Sequence, residues 1–202
     1  MESLRAPLDR GEATRRLLER HYREPHRAYH TLTHIEQVLS RVDALIAAGE
    51  PAMDHAAIRL AAWFHDAVFD PQRADNENAS AELADRVLTG WPLDAARRNR
   101  VRSLVLVTAD HTARTPDERV LVDADLAILA ADPQDYDAYA GAIRREYRWL
   151  PEEDFRAGRT AFLTGMLARD HLFATPTMRT TSEPTGRRNL QRELARLQPS
   201  GG

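Results

Sequence analysis

The chain has 202 residues, a formal net charge of -3 and an apolar fraction of 43%, a length that suits one domain, or two small ones, with a sizeable core. Charge so close to neutral gives no reason to expect a nucleic-acid or membrane-surface partner. There is no cysteine and all 28 basic residues are arginine, which excludes disulfides, Cys-ligated zinc, iron–sulfur clusters, a thiolate nucleophile, a Schiff-base lysine and a P-loop.

The pattern is helical nearly throughout. A charged amphipathic helix over residues 10–24 stops at Pro25, and a second runs from Thr31 to Ala48 before Gly49-Glu50-Pro51. Asp54 is a fitting N-cap for a third helix reaching Val68, and a fourth covers Asn76 to Leu88. A fifth runs from Asp94 to Asp110. Thr115-Pro116 supplies the N-cap and first position of a sixth reaching Ala131. Asp132-Pro133 opens a seventh that ends before Pro151, an eighth follows to Arg169, and a last helix covers Thr185 to Leu197. Leu104–Val107 and Val120–Val122 are short enough to be strands, but their apolar character continues on both sides, so helix is preferred. The expectation is one all-α domain over residues 1–197 with a flexible tail at 198–202.

Other chemistries fall away on the same reading. No Gly-x-Ser-x-Gly or Gly-x-Gly-x-x-Gly frame is present. No apolar stretch is long enough to span a bilayer, and the charged N-terminus lacks a signal-peptide core, so a cytoplasmic protein without membrane partner is expected. What remains is the chemistry of His, Asp and Glu.

Those residues stand in apolar places. Ala61–Phe69 carries His65-Asp66 in its middle, and Val120–Leu129 carries Asp123 and Asp125. An ionised carboxylate buried alone costs several kcal/mol or more, so it is kept where it pairs or holds a cation. A buried salt bridge to one of the many arginines is the plain alternative, and two such sites beside a histidine cluster weaken it. Four of the eight histidines, His21, His26, His30 and His34, fall close together. His30 and His34 are spaced to share one helix face, whereas His21 and His26 read as exposed and idle.

Taken together, His34, His65-Asp66 and a late Asp follow the ligand order of the HD superfamily, which the chain resembles over most of its length. Tyr29-His30-Thr31-Leu32-Thr33-His34 resembles the Tyr-His-x-x-x-His opening of cyclic-nucleotide phosphodiesterases and related HD proteins. Phe64-His65-Asp66 is similar to their His-Asp signature, Leu106–His111 to the apolar helix that follows, and Asp123-Ala124-Asp125-Leu126 to the final Asp element. The likeness is closest to a bacterial group of predicted metal-dependent HD phosphohydrolases, through Glu24–His30 and Tyr147–Glu152.

The resemblance implies an HD-type helical bundle around a buried metal site with ligands His34, His65, Asp66 and Asp125. Residues two apart on a helix point about 200° away from each other, so Asp123 and Asp125 do not both reach one ion; Asp123 is the second choice for that ligand, and otherwise would orient a histidine or pair with an arginine. One divalent ion is expected, of the class Mn, Fe, Ni, Co, Zn or Mg. His111 is the one candidate ligand for a second. The implied reaction is hydrolysis of a phosphate ester, on a nucleotide or other small phosphorylated substrate, by a metal-activated water. The resemblance makes His30 the general acid, and Asp70 and Glu77 are candidates for positioning the water. Arg144, Arg145, Arg148, Arg156 and Arg159 are candidate phosphate contacts, and Trp63, Trp91 and Trp149 candidate stacking partners. Two other functions fit the same residues: a non-catalytic HD module that binds metal and nucleotide, or a two-metal HD-like oxygenase or lyase.

Overall fold

Three helices with their apolar faces turned together place the site. In α2 (Leu32–Ala47) the buried positions are His34, Ile35, Val38, Leu39, Val42 and Leu45, a spacing of three and four that gives one stripe. His34 therefore lies on the stripe that faces the core. In α3 (His55–Phe64) the buried side is built of Ala57, Ile58, Ala61, Ala62 and Phe64, and the small alanines admit close neighbours. In α6 (Pro116–Asp125) every residue from Val120 to Ala124 is buried, so it runs through the middle of the molecule. These three helices pack on one another pairwise.

A computed structural model describes residues 5–198 of the chain. Around the central three lie α1 (Arg5–His21), α4 (Asn76–Leu88), α5 (Ala95–Val107), α7 (Pro133–Glu146), α8 (Glu152–Leu167), the short α9 (Pro176–Thr181) and α10 (Glu183–Leu197). The architecture is all-α, ten helices with no strand among the described residues. The runs at Leu104 and Val120 are helical, as their flanks implied. No described helix is long and apolar enough to cross a membrane. Residues 199–202 of the expected tail lie outside the described residues.

The starts are where the caps are. Asp54 accepts the Ala57 N–H at the head of α3, and Thr115 and Glu118 form a reciprocal capping box at the head of α6, with Pro116 in the first turn. The ends differ from the sequence reading, and two differences matter. α3 stops at Phe64 rather than Val68: the Ala67 N–H turns back to the Phe64 carbonyl, so His65 is a C-cap and Asp66 lies in the turn, not in mid-helix. α6 gives way after Asp125 to a 3-10 segment, Leu126–Ala130, where one helix to Ala131 was expected. α9 was not foreseen; Thr175-Pro176 is its N-cap and first residue, a signal present in the sequence but attached to only six residues.

Candidate metal centre

Four donor atoms from three helix ends converge. His34 Nε2 lies 3.1 Å from Asp125 Oδ1 and 3.4 Å from Asp66 Oδ2. His65 Nε2 lies 3.0 Å from Asp66 Oδ2 and 3.5 Å from Asp125 Oδ1. These distances suit ion pairs, yet the directions do not suit hydrogen bonds, for both Nε2 atoms are buried without a hydrogen-bond partner. Orphaned buried polar atoms are rare and call for an explanation. An ion about 2.1 Å from each donor holds adjacent donors about 3.0 Å apart in an octahedron and about 3.4 Å apart in a tetrahedron. The observed separations run from 3.0 to 3.5 Å, close to those values, and His34, His65 and Asp66 form a buried group able to hold a metal. The donor set fits a divalent cation.

His65 closes α3 as its C-cap, with helical backbone angles, and Asp66 follows in the turn. The two side chains meet, His65 Nε2 lying 3.0 Å from Asp66 Oδ2. His65 Nδ1–H donates to the Ala62 carbonyl at 2.9 Å, which leaves Nε2 as the free nitrogen.

Electrostatics agree with the geometry. Burial pushes His34 and His65 toward the neutral form, but Asp66 and Asp125 outweigh it and raise both, His65 strongly. Burial likewise raises the two carboxyls, and the facing histidines reverse this, holding Asp66 and Asp125 well below the usual carboxylate range. The carboxylates thus favour the charged imidazoles and the imidazoles the ionised carboxylates, and a divalent ion bound here would compete with protons for the two Nε2 atoms.

Three residues that the sequence reading passed over hold the site in place. Arg27, its side chain wholly buried, donates to the carbonyls of His30 at 2.9 Å, Asp66 at 2.8 Å and Ala67 at 3.1 Å. It ties the segment before α2 to the turn after α3. Glu146, at the end of α7, takes the N–H groups of Ala28, Tyr29 and His30 on Oε1, at 2.7, 2.7 and 3.0 Å. Its Oε2 takes His30 Nδ1–H at 2.7 Å. Burial raises the Glu146 carboxyl, but the bond from His30, the His30 charge and the Ala28 and Tyr29 amides hold it below its usual value. Arg169 donates to the Asp110 carbonyl at 2.8 Å and so holds the turn at His111. None of the three stands out in an arginine- and glutamate-rich chain.

The other candidates fall on both sides. His30 and Glu77 line a cavity of about 320 Å³ that reaches Asp66 and Asp125. His111 adopts a left-handed backbone, φ 54°, and its Nε2 donates to Asp125 Oδ2 at 3.0 Å; it braces the far oxygen of that carboxylate. Asp70 instead sits in an exposed turn, accepting the Gln72 N–H at 2.9 Å, and lines a neighbouring hollow. Asp123 neither orients a histidine nor pairs with an arginine: its two oxygens take the Ala174 N–H, the Thr175 N–H and the Thr175 hydroxyl. The predicted phosphate contacts are largely committed elsewhere, Arg144 to Glu152 and to the Tyr147 and Leu150 carbonyls, and only Arg159 of the five reaches the cavity wall. The three tryptophans do not line it. No family model, curated protein or solved structure matches this chain.

Proposed function

We infer that the chain is a metal-dependent phosphohydrolase of the HD type. The observation that carries this reading is the convergence of His34 Nε2 and His65 Nε2, both orphaned and buried, on Asp66 and Asp125, with the His30 ring on the wall of the adjoining cavity.

The ion, when bound by those four residues, supplies Lewis acidity toward a phosphoryl oxygen and acidifies a water for attack. The chain does the rest. His30 is pinned by Glu146 through Nδ1, so the proton it can pass to a leaving oxygen is the one on Nε2. Glu77 faces the same cavity and can hold a water there by hydrogen bond, whereas Asp70 in its exposed turn contributes to the local chain reversal. The half-buried ring of Tyr29 and the buried ring of Tyr139, 4.6 Å apart at their centroids, pack edge to face beside the donor set.

The test is metal content per chain of protein purified without chelator, beside Asp66→Ala, followed by a phosphate-ester screen with the metal found. About one equivalent, lost in the variant, with ester hydrolysis that follows metal loading, is expected. Metal bound without turnover of any ester moves the assignment to a binding module, and no metal after soaking in Mn, Fe, Ni, Zn or Mg removes the mechanism.

A further inference from the structure

The cavity beside the donor set differs from one wall to another. Its rings come from Tyr29, Tyr139, Tyr147, Phe155 and Phe162, and Leu126, Ile143 and Leu150 fill the spaces between them. Its carboxylates are Asp66, Glu77, Asp125 and Asp154. Arg159 supplies the one guanidinium, and that group is already spoken for. Nε and Nη2 donate to the two Glu193 oxygens at 2.8 and 3.0 Å, and Nη1 donates to the Tyr139 hydroxyl at 3.3 Å. The Tyr139 and Phe162 rings cover it at 5.2 and 5.0 Å. Once Asp66 and Asp125 serve an ion, Glu77 and Asp154 remain as negative charge, and the cations of the lining are already paired, Arg159 with Glu193 and the His30 imidazolium with Glu146.

His30 decides which part of a substrate lies here. Its ring borders this cavity and not the wider groove on the other side of Tyr29 and Tyr139. The oxygen that His30 protonates carries the leaving group, so the leaving group occupies the ring-lined space. Resting on the phosphohydrolase reading, we propose that the substrate is a phosphate ester whose leaving group is an uncharged, aromatic-bearing alcohol, and that chains of two or more phosphates are rejected. The volume, about 320 Å³, lies at the small end of ligand pockets, which run from ~300 to ~1,000 Å³, and suits one ring system. In the reaction, water adds through oxygen to phosphorus, the phosphorus–ester oxygen bond breaks with its electron pair going to that oxygen, and His30 Nε2 delivers the proton. The products are the alcohol and the phosphate. A leaving group bearing further phosphates would set its charge against Glu77 and Asp154, whereas a ring gains contact with Phe155 and Phe162.

The test uses the metal-loaded full chain with 2-phenylethyl phosphate, ethyl phosphate and inorganic pyrophosphate; the two esters release alcohols of similar acidity. Binding of 1-naphthol to ion-free and ion-loaded protein, followed by fluorescence, gives a readout independent of turnover. The phenylethyl ester is expected to exceed both others in kcat/KM by about tenfold or more, and naphthol to bind in both forms. Phe162 is exposed at the lip, 38%, so Phe162→Ala spares the core; it should weaken naphthol binding and raise KM for the phenylethyl ester several-fold at unchanged metal content. Equal or faster hydrolysis of pyrophosphate, or no naphthol binding, overturns the inference and leaves the hydrolase reading standing. No hydrolysis of any ester by metal-loaded protein overturns both.

Discussion

Glu146 holds His30 twice, taking its ring Nδ1–H on one oxygen at 2.7 Å and its backbone N–H on the other at 3.0 Å. The imidazole can therefore neither turn over nor withdraw from the cavity without breaking a charge-assisted bond. Glu146→Gln keeps an acceptor and loses the charge. Turnover of the metal-loaded variant should fall by roughly 10–100-fold, the range for partners that orient a functional histidine, while metal content is kept. Nitrogen NMR of His30 should show the Nδ1 proton less firmly held. Unchanged turnover would remove His30 from the reaction.

Arg27 is the clamp between the two ligand-bearing segments. Arg27→Ala strips three carbonyls of a donor, at about 1–3 kcal/mol for each buried group left unmet, so the midpoint of urea unfolding should fall steeply. Arg27→Lys restores the charge without the planar fork and should recover only part. Metal affinity should follow the same order.

The two aspartates of α6 should separate cleanly. Asp125→Asn should cost bound metal. Asp123→Asn should leave metal content at the wild-type value and lower thermal stability by a few kcal/mol, because it disturbs the bonds to Ala174 and Thr175. Equal metal loss in both would contradict the assignment of ligands.

Stability at low pH should report on Asp54. Burial raises its carboxyl, and the Ala57 N–H with Arg97 and Arg100 more than compensates, so its folded value is lowered. A lowered folded value means stability that is complete above the unfolded value of about 3.9 and is lost as pH falls through the folded value beneath it. Urea midpoints across this window should drop for the wild type and drop less for Asp54→Asn. At neutral pH Asp54→Ala should cost about 1 kcal/mol through the lost cap.

Titrating Mn²⁺ or Zn²⁺ into chelator-treated protein should raise the melting temperature, by an amount corresponding to ~2.7 kcal/mol at one hundred times Kd. His65→Ala should abolish the shift. The ion-free variant should itself be less stable than ion-free wild type, since Asp66 and Asp125 would both lose the His65 imidazole that faces them.

The all-α class and the four converging residues were legible because each carries a local mark: a polar group in an apolar run, or a cap before a periodic stretch. The supporting residues carry none. Arg27 is one arginine among 28, and Glu146 meets its partners across more than a hundred residues, so only the packed chain reveals them. The end of α3 at Phe64 was missed for a related reason: Ala67-Val68-Phe69 continues the apolar pattern, and Phe69 is buried, but it is reached by a turn. Asp70 and Glu77 were alike in sequence and are parted by burial geometry, Glu77 to the cavity and Asp70 to an exposed reversal.

The candidate ligands lie on three segments that are distant in sequence and belong to or follow different helices. An ion held by His34, by His65 with Asp66, and by Asp125 would tie off two loops of roughly thirty and sixty residues, and, because the donors come together only in the folded chain, would have to leave before or as the chain unfolds. In a chain with no cysteine, it would be a reversible cross-link of the native state. Removing the ion would then speed unfolding as well as end any chemistry, and a chelated sample would age faster than a loaded one at the same temperature.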